Sequence, residues 1–298
     1  MAIVGPTAAG KSSLALALGR RHRRAEILAV DSMSVYRGMD IGTAKPTAEE
    51  RASVPHHLLD LADPSEEFSV RRFQLAAREV LEDLSSRRRL PLLVGGTGLY
   101  LRAIVDDLDL PGRWPDVAAA LEEEAEGPGG VPALHARLAA LDPDAAARMT
   151  PTNRRRVVRA LEVTLGSGRP FSSFGPGLTA YPPRGVTMVG ISPPPGALAA
   201  RIARRVHDQM AAGWLEEVQT LLARPEGLSR TARQALGYRE LLAHLEEGLP
   251  LEQAVEATIR RTRAFARRQL AWFRRDPRID WVGSPEEAES RVEPLLER

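Results

Sequence analysis

Residues Gly5-Pro6-Thr7-Ala8-Ala9-Gly10-Lys11-Ser12 follow the spacing G-x-x-x-x-G-K-S, directly after a short apolar run and directly before a helix-like stretch. In a strand–loop–helix context, backbone N–H groups, a helix N-terminus and a lysine ammonium converge on a di- or triphosphate. Ser12 is then placed to hold a magnesium ion on that phosphate. The motif predicts a bound polyphosphate but does not say which one, or whether phosphate is transferred or leaves. A second chemical group is Asp31, at the end of an apolar run expected to lie beside the P-loop strand. A carboxylate there can bind magnesium or take a proton from a nucleophile.

Two absences narrow the chemistry. The run Leu90–Val94 is where a P-loop ATPase often carries a second magnesium-binding aspartate, yet Gly95-Gly96-Thr97 follows it. A guanine-reading Asn-Lys-x-Asp is also missing. Of the 41 basic residues only Lys11 and Lys45 are lysines; the rest are arginines. A compact ammonium on a flexible stem suits a phosphate loop where a planar fork does not, so the survival of Lys11 fits its proposed place. There is no cysteine, which excludes disulfides, thiolate metal sites and cysteine nucleophiles. The histidines (His22, His56, His57, His135, His207, His244) lack metal-ligand spacing.

The elements that must position these groups alternate. Ala2–Val4, Glu26–Val30, His57–Leu61 and Leu90–Val94 read as strands, with helices over Lys11–Arg20 and Ser69–Arg88 and another helix after Gly98. Ser69 is the expected cap of its helix. This alternation predicts an α/β fold, a P-loop NTPase-like parallel sheet with ligands at the strands' carboxyl ends. From about Leu110 the pattern changes: Asp116–Ala125, Val131–Leu141 and Arg154–Gly166 read as helices with no strand between them. Strand Val186–Ser192 then resumes, followed by helices Gly196–Ala212, Leu215–Leu222, Thr231–Leu245 and Leu251–Arg274 and strand Ile279–Val282. The expected organisation is a catalytic core over 1–110 and 175–284, an inserted all-helical subdomain over 111–174, and a peripheral charged tail over 285–298. At 298 residues and 43% hydrophobic, the chain can bury a core of that size. No apolar run approaches a membrane span, so a soluble, cytoplasmic, monomeric protein with no membrane partner is expected.

The helix Leu251–Arg274 carries a second signal. At 100° per residue, Val255, Ile259, Thr262, Ala266, Leu270 and Phe273 share the expected core face, while arginines 260, 261, 263, 267, 268, 274 and 275 cover the rest. No acid lies between Thr258 and Arg275. A solvated face normally mixes signs, so contact with a phosphate backbone is the better reading, centred on Arg260, Arg267, Arg268 and Arg274. Arg154, Arg155, Arg156 and Arg159 form a shorter basic cluster in the insert, and two basic surfaces suggest a clamp around a folded nucleic acid.

With these motifs the chain resembles the bacterial tRNA dimethylallyltransferases. The markers are Gly-Pro-Thr-Ala-x-Gly-Lys-Ser at 5–12, Asp31-Ser32 with Val35-Tyr36-Arg37-Gly38-Met39-Asp40-Ile41-Gly42-Thr43-Ala44-Lys45-Pro46, and Gly95-Gly96-Thr97-Gly98-Leu99-Tyr100. Arg156-Val-Val-Arg159-Ala-Leu-Glu162, Gly237-Tyr238-Arg239-Glu240 and Arg267-Arg268-Gln269-Leu270-Ala271-Trp272-Phe273 complete the set. One departure is Met149-Thr150-Pro151-Thr152-Asn153, where the family usually has Pro-Asn-Asp.

The resemblance implies that the P-loop, Gly5 to Ser12, holds the diphosphate of dimethylallyl diphosphate, and that the acceptor is N6 of the adenosine 3′ of the anticodon. Lys11, Thr7, a Mg2+ ion on Ser12 and Thr7, and Arg205 would stabilise departing diphosphate, and Asp31 would accept the proton. The anticodon stem-loop of tRNA would meet Asp31, Ser32, Met33, Ser34 and Thr97 in the core and Arg155, Arg156, Val157, Val158 and Arg159 in the insert. Three other readings compete: a P-loop kinase of a small molecule, an RNA-binding P-loop protein without chemistry, and a prenyltransferase acting on free AMP. The missing second aspartate disfavours the first, Asp31 facing the loop the second, and the insert with its two basic surfaces the third.

Overall fold

The computed structural model describes residues 1–175 and 177–297. One sheet contains β1 (Ala2–Val4), β2 (Ala25–Val30), β3 (His56–His57), β4 (Leu90–Gly95), β5 (Met188–Ile191) and β6 (Ile279–Val282). The strands run parallel in the order β3-β2-β4-β1-β5-β6. The expected α/β core with a parallel sheet is therefore present. The neighbour relation read from sequence is not: β4 lies between β1 and β2, with Ile3 opposite Val94 and Val30 opposite Gly95. Strand pairing is non-local, and no local pattern records which strand inserts between two others.

Successive side chains of the strands serve opposite faces. Ala2, Val4, Leu28, Val30 and Leu93 enter one hydrophobic cluster; Ile3, Ile27, Leu92, Val94 and Val189 enter a second. Both faces being covered explains why β1 and β4 read as unbroken apolar runs. The first cluster gathers Phe73 from α3 (Val70–Ser86), Leu101 from α4 (Gly98–Val105) and Trp214 from α10 (Trp214–Leu222). The second gathers Leu14, Ala15 and Leu18 from α1 (Lys11–Arg21) with Ala288, Val292 and Leu296 from α14 (Pro285–Leu296). Residues 285–297 are thus no peripheral tail. Their apolar residues recur every four positions, making one helical stripe that closes this face of the sheet.

Several boundaries moved for identifiable reasons. The strand expected at His57–Leu61 stops at His57, because Leu58 and Asp60 take positive φ angles of 66° and 57°. α2 (Ala48–Ser53) was not foreseen; Thr47 and Glu50 form a reciprocal capping box at its start. The single helix expected over Thr231–Leu245 is α11 (Arg230–Arg233) and α12 (Tyr238–Glu247). Between them Gly237 sits at φ 83° hard against the Trp214 ring, where a side chain would clash. The core also contains α9 (Pro195–Ala211) and α13 (Leu251–Phe273).

The chain divides into two compact units, residues Met1–Asp106 with Pro183–Arg298, and Asp107–Pro182. The second unit is slightly longer than the 111–174 read from sequence. It is helical throughout: α5 (Pro115–Glu124), α6 (Gly130–Leu141), α7 (Pro143–Ala147) and α8 (Arg154–Ser167). Leu121, Leu134, Leu138, Val157, Val158 and Leu161 make its own core. α7 falls in the expected connection 143–151 and is started by the Asp142 side chain, which accepts the Ala145 N–H, with Pro143 at its first turn.

Candidate active site

The P-loop leaves β1 at Gly5, whose φ of 140° brings the loop against the Ile191 carbonyl of β5 at a distance no Cβ permits. It enters α1 at Gly10, φ 94°. The Lys11 Nζ donates to the Pro6 carbonyl at 2.6 Å, so the ammonium curls back inside its own loop. Lys11 is 9% exposed. Burial, and secondarily the Arg205 guanidinium, bring its pKa down to about 7, while Asp31 partly opposes that shift. Burial likewise pulls Arg205 below the usual guanidinium range, and Asp31 again acts in the other direction. The loop is a concentrated cationic site whose charge is costly until an anion arrives.

Three strand ends converge here. Arg205 of α9 donates from Nη1 to Thr7 Oγ1 at 3.2 Å. The Thr7 N–H donates to Gln269 Oε1 at 2.8 Å, and Gln269 Nε2 donates to the Gly96 carbonyl after β4 at 2.9 Å. Thr97 accepts the Ser32 N–H on its hydroxyl at 3.3 Å. Asp31, after β2, accepts the N–H groups of Met33 and Ser34 on one oxygen at 2.8 and 3.2 Å. Although β2 does not touch β1, Asp31 still faces the phosphate loop across the end of β4.

A cavity of about 550 Å³ opens beside these groups. Its lining includes the polar and charged Thr7, Asp31, Arg205 and Arg268 and the apolar Met33, Ile202, Val206, Trp214 and Phe265. Gly42 and Thr43 contribute a rim that is held rigidly. Glu217 accepts the N–H groups of Asp40, Ile41 and Gly42 at 2.9, 2.7 and 3.2 Å and the Tyr238 hydroxyl at 2.6 Å. Gln209 donates to the Ile41 and Gly42 carbonyls at 2.5 and 3.1 Å. The second lysine, Lys45, lies outside the cavity: its Nζ donates to the Tyr36 carbonyl, Asp40 and Asp60, each at 2.6 Å. Three acceptors around one nitrogen suit an ammonium and not a planar guanidinium.

The structure separates the expected contact residues. Thr7, Asp31, Ser32, Met33, Arg205 and Arg268 line the cavity. Ser34 does not: it is 4% exposed and donates its N–H and hydroxyl back to Asp31. Val157 and Val158 were expected on the tRNA face, but both are buried in the core of the second unit. The exposed members of that cluster are Arg155 and Arg156, whereas Arg154 pairs with Glu122 and Glu126, and Arg159 holds the Pro111 and Gly112 carbonyls and pairs with Glu162. The buried residues of α13 are Ala254, Thr258, Ala266, Gln269 and Phe273: Ala266 and Phe273 stand where the sequence put them, while Ala254, Thr258 and Gln269 are buried one position before the expected Val255, Ile259 and Leu270. α13 is therefore not on the outer side of the core. It turns Arg261, Phe265 and Arg268 into the cavity and leaves Arg260, Arg267 and Arg274 exposed. Gln269, which entered the sequence reading only inside the motif Arg267–Phe273 and without a role, is the residue beside the P-loop that sequence reasoning missed.

A metal would find no carboxylate cage, since among the described residues no three His, Asp or Glu side chains gather to hold one. Ser12 is exposed at the start of α1 and fits a magnesium ion shared with a bound diphosphate. Thr7 fits less well, because its hydroxyl already faces the Arg205 guanidinium.

A P-loop on a parallel sheet, with a strand-end carboxylate and a partly apolar cavity beside it, fits a group-transfer enzyme. The sequence profile of the IPP transferase family matches residues 34–276, and the chain belongs to that family. It is 50% identical over 293 residues, 96% of this chain and 91% of the other, to the tRNA dimethylallyltransferase of Kineococcus radiotolerans. To that of Streptomyces coelicolor it is 49% identical, over 95% of this chain and 89% of the other. Among solved structures, the tRNA isopentenylpyrophosphate transferase of Bacillus halodurans superimposes with a TM-score of 0.71 at 39% identity, covering 99% of this chain and 96% of the other. A eukaryotic dimethylallyltransferase captured acting on tRNA gives 0.80 at 25% identity, over 99% and 76%.

Proposed function

We propose that this chain transfers the dimethylallyl group of dimethylallyl diphosphate to N6 of the adenosine 3′ of the anticodon in tRNA. The observation that carries this reading is a cavity lined both by the P-loop residues Thr7 and Ala8 with Asp31 and by the apolar side chains of Met33, Ile202, Val206 and Phe265. A diphosphate on the loop puts a five-carbon chain among Met33, Ile202, Val206 and Phe265, where a kinase would need a second polar phosphate acceptor site. The volume lies within the roughly 300–1,000 Å³ of ordinary ligand sites.

In the reaction N6 attacks C1 of the allyl group, the C1–O bond breaks with its electron pair leaving on diphosphate, and the N6 proton passes to Asp31. Neutral adenine is a weak nucleophile, so leaving-group charge must be met by fixed donors. Lys11, the P-loop N–H groups and Arg205 supply them, and the Arg205–Thr7 contact sets where the guanidinium stands. A Mg2+ ion on Ser12 and the diphosphate would add charge neutralisation when bound. Reaching N6 requires the base to leave its stack; Ser32 and Met33, which line the cavity with Asp31, would meet it, with Thr97 behind them holding the Ser32 N–H. The exposed arginines of α13 and of α8 would hold the RNA backbone.

The test is incubation with labelled dimethylallyl diphosphate and either bulk tRNA or AMP. Label in tRNA alone is expected. Label in AMP, or ATP hydrolysis stimulated by a small-molecule acceptor, would replace the reading with one of its rivals.

A further inference from the structure

Gln269 is 6% exposed and its amide spans the P-loop and the loop that follows β4. Its oxygen accepts the Thr7 N–H and its nitrogen donates to the Gly96 carbonyl. The neighbours fix the orientation of the amide, since a backbone N–H can only donate and a carbonyl can only accept. Gly96 is shaped for this contact: a Cβ there would collide with the Gln269 amide nitrogen. Two residues on, Gly98 leaves room in the same way for the Trp272 indole of the same helix. Glycines at these two points let α13 press onto the end of β4 closely enough for a glutamine to reach through to the phosphate loop.

The consequence reaches both reacting ends. The Thr7 N–H is turned inward to Gln269, which leaves the Thr7 hydroxyl facing Arg205 at 3.2 Å. On the other side, Gly96 is followed by Thr97, whose hydroxyl receives the Ser32 N–H, and Ser32 follows Asp31. An unbroken series therefore runs from the leaving-group arginine through Thr7, Gln269 and the β4 loop to the proton acceptor. No other side chain among the described residues bonds both the P-loop and the β4 loop.

We propose that Gln269 is a positioning residue for prenyl transfer: it sets the distance between the diphosphate site on the P-loop and Asp31, without touching substrate itself. The proposal rests on the transferase reading above. A misplacement of about 1 Å between reacting groups costs on the order of 100-fold in rate, so the effect belongs in turnover and not in tRNA capture.

The experiment uses the full-length chain with Gln269→Leu and Gln269→Glu, reading single-turnover rate, KM for tRNA, pyrophosphate affinity by calorimetry and the thermal melt. Gln269→Leu, similar in size but unable to bond either loop, is expected to lose about 10–100-fold in turnover with KM for tRNA nearly unchanged. Gln269→Glu is the sharper variant. As a carboxylate it cannot donate to Gly96; once protonated, its O–H replaces the missing donor while its other oxygen still accepts from Thr7. Burial raises the pKa of such a carboxyl, so its rate relative to wild type should recover as pH falls below neutrality. A melt followed at the same pH values separates this recovery from refolding. A folded Gln269→Leu protein with wild-type turnover, or a Gln269→Glu pH profile parallel to wild type, overturns the proposal. Should the wild-type chain bind pyrophosphate but transfer no prenyl group, the transferase reading fails. The brace is then judged on pyrophosphate affinity alone: a weakened variant supports it and an unchanged one refutes it.

Discussion

Lys11 makes diphosphate binding a proton-linked event. With its free-state pKa near 7, about half of the ammonium population is charged at neutral pH. A bound diphosphate places at least two negative charges against it and favours the charged form, so binding above neutrality must take up a proton. Worked through, the dissociation constant for pyrophosphate should weaken about 50-fold, or about 2.3 kcal/mol, between about pH 7 and about pH 9. Proton uptake should be about 0.5 per site at the lower pH and close to 1 at the upper. Calorimetry in two buffers of different ionisation heat measures both quantities. Lys11→Arg, which carries a charge that does not titrate, should flatten the pH dependence whatever its absolute affinity. The linkage also fixes the sign for stability. The folded pKa lies below the ordinary 10.5, so the free protein should gain stability as pH rises between about 7 and 10.5. A dissociation constant independent of pH, or no proton uptake, would refute this account of the buried ammonium.

Other substitutions separate the remaining roles. Asp31→Asn keeps an acceptor for the Met33 and Ser34 N–H groups but removes the base, so turnover should fall roughly 10²–10⁴-fold with tRNA affinity retained; near-normal turnover would show that Asp31 is only a loop cap. Replacing Arg260, Arg267 and Arg274 together by alanine should weaken tRNA binding without sequence preference and make the slope of log affinity against log salt shallower by about 0.7–0.9 per lost contact. Filter binding at several salt concentrations reads this slope, and an unchanged slope would remove α13 from the interface. Lys45→Arg should lower stability in a denaturant titration by about 1–3 kcal/mol, because a planar fork cannot serve the Tyr36, Asp40 and Asp60 oxygens from one centre.

The parts of the site that were legible in sequence are those encoded within a dozen neighbouring residues. The P-loop announces itself by glycine and lysine spacing, and β1, β2 and β4 by apolar runs. Thr47 and Glu50 could have revealed α2 in the same way, since their spacing is a capping signal in its own right, and the four-residue recurrence of Ala288, Val292 and Leu296 could have rescued α14 from its surrounding acids. What depends on distant packing was not legible. The insertion of β4 between β1 and β2 leaves no local trace. Val157 and Val158 look like part of an arginine-rich surface until α8 is rotated onto its neighbours. Gln269 belongs to a motif that marks the resemblance, but only the approach of α13 to Gly96 gives it a task.

The packing of α14 on α1 has a consequence for how the chain matures. Leu14, Ala15 and Leu18 find their cover on Ala288, Val292 and Leu296, and Pro285 meets the backbone of Gly10 in the phosphate loop. At ordinary elongation rates a ribosome needs roughly 10 to 60 s to travel from one helix to the other. Throughout that interval α1 can pack on β1, β2 and β4, but Leu14, Ala15 and Leu18 lack the part of their cover that α14 supplies. The packing around the phosphate loop is therefore completed only when a helix more than 260 residues further along the chain has docked.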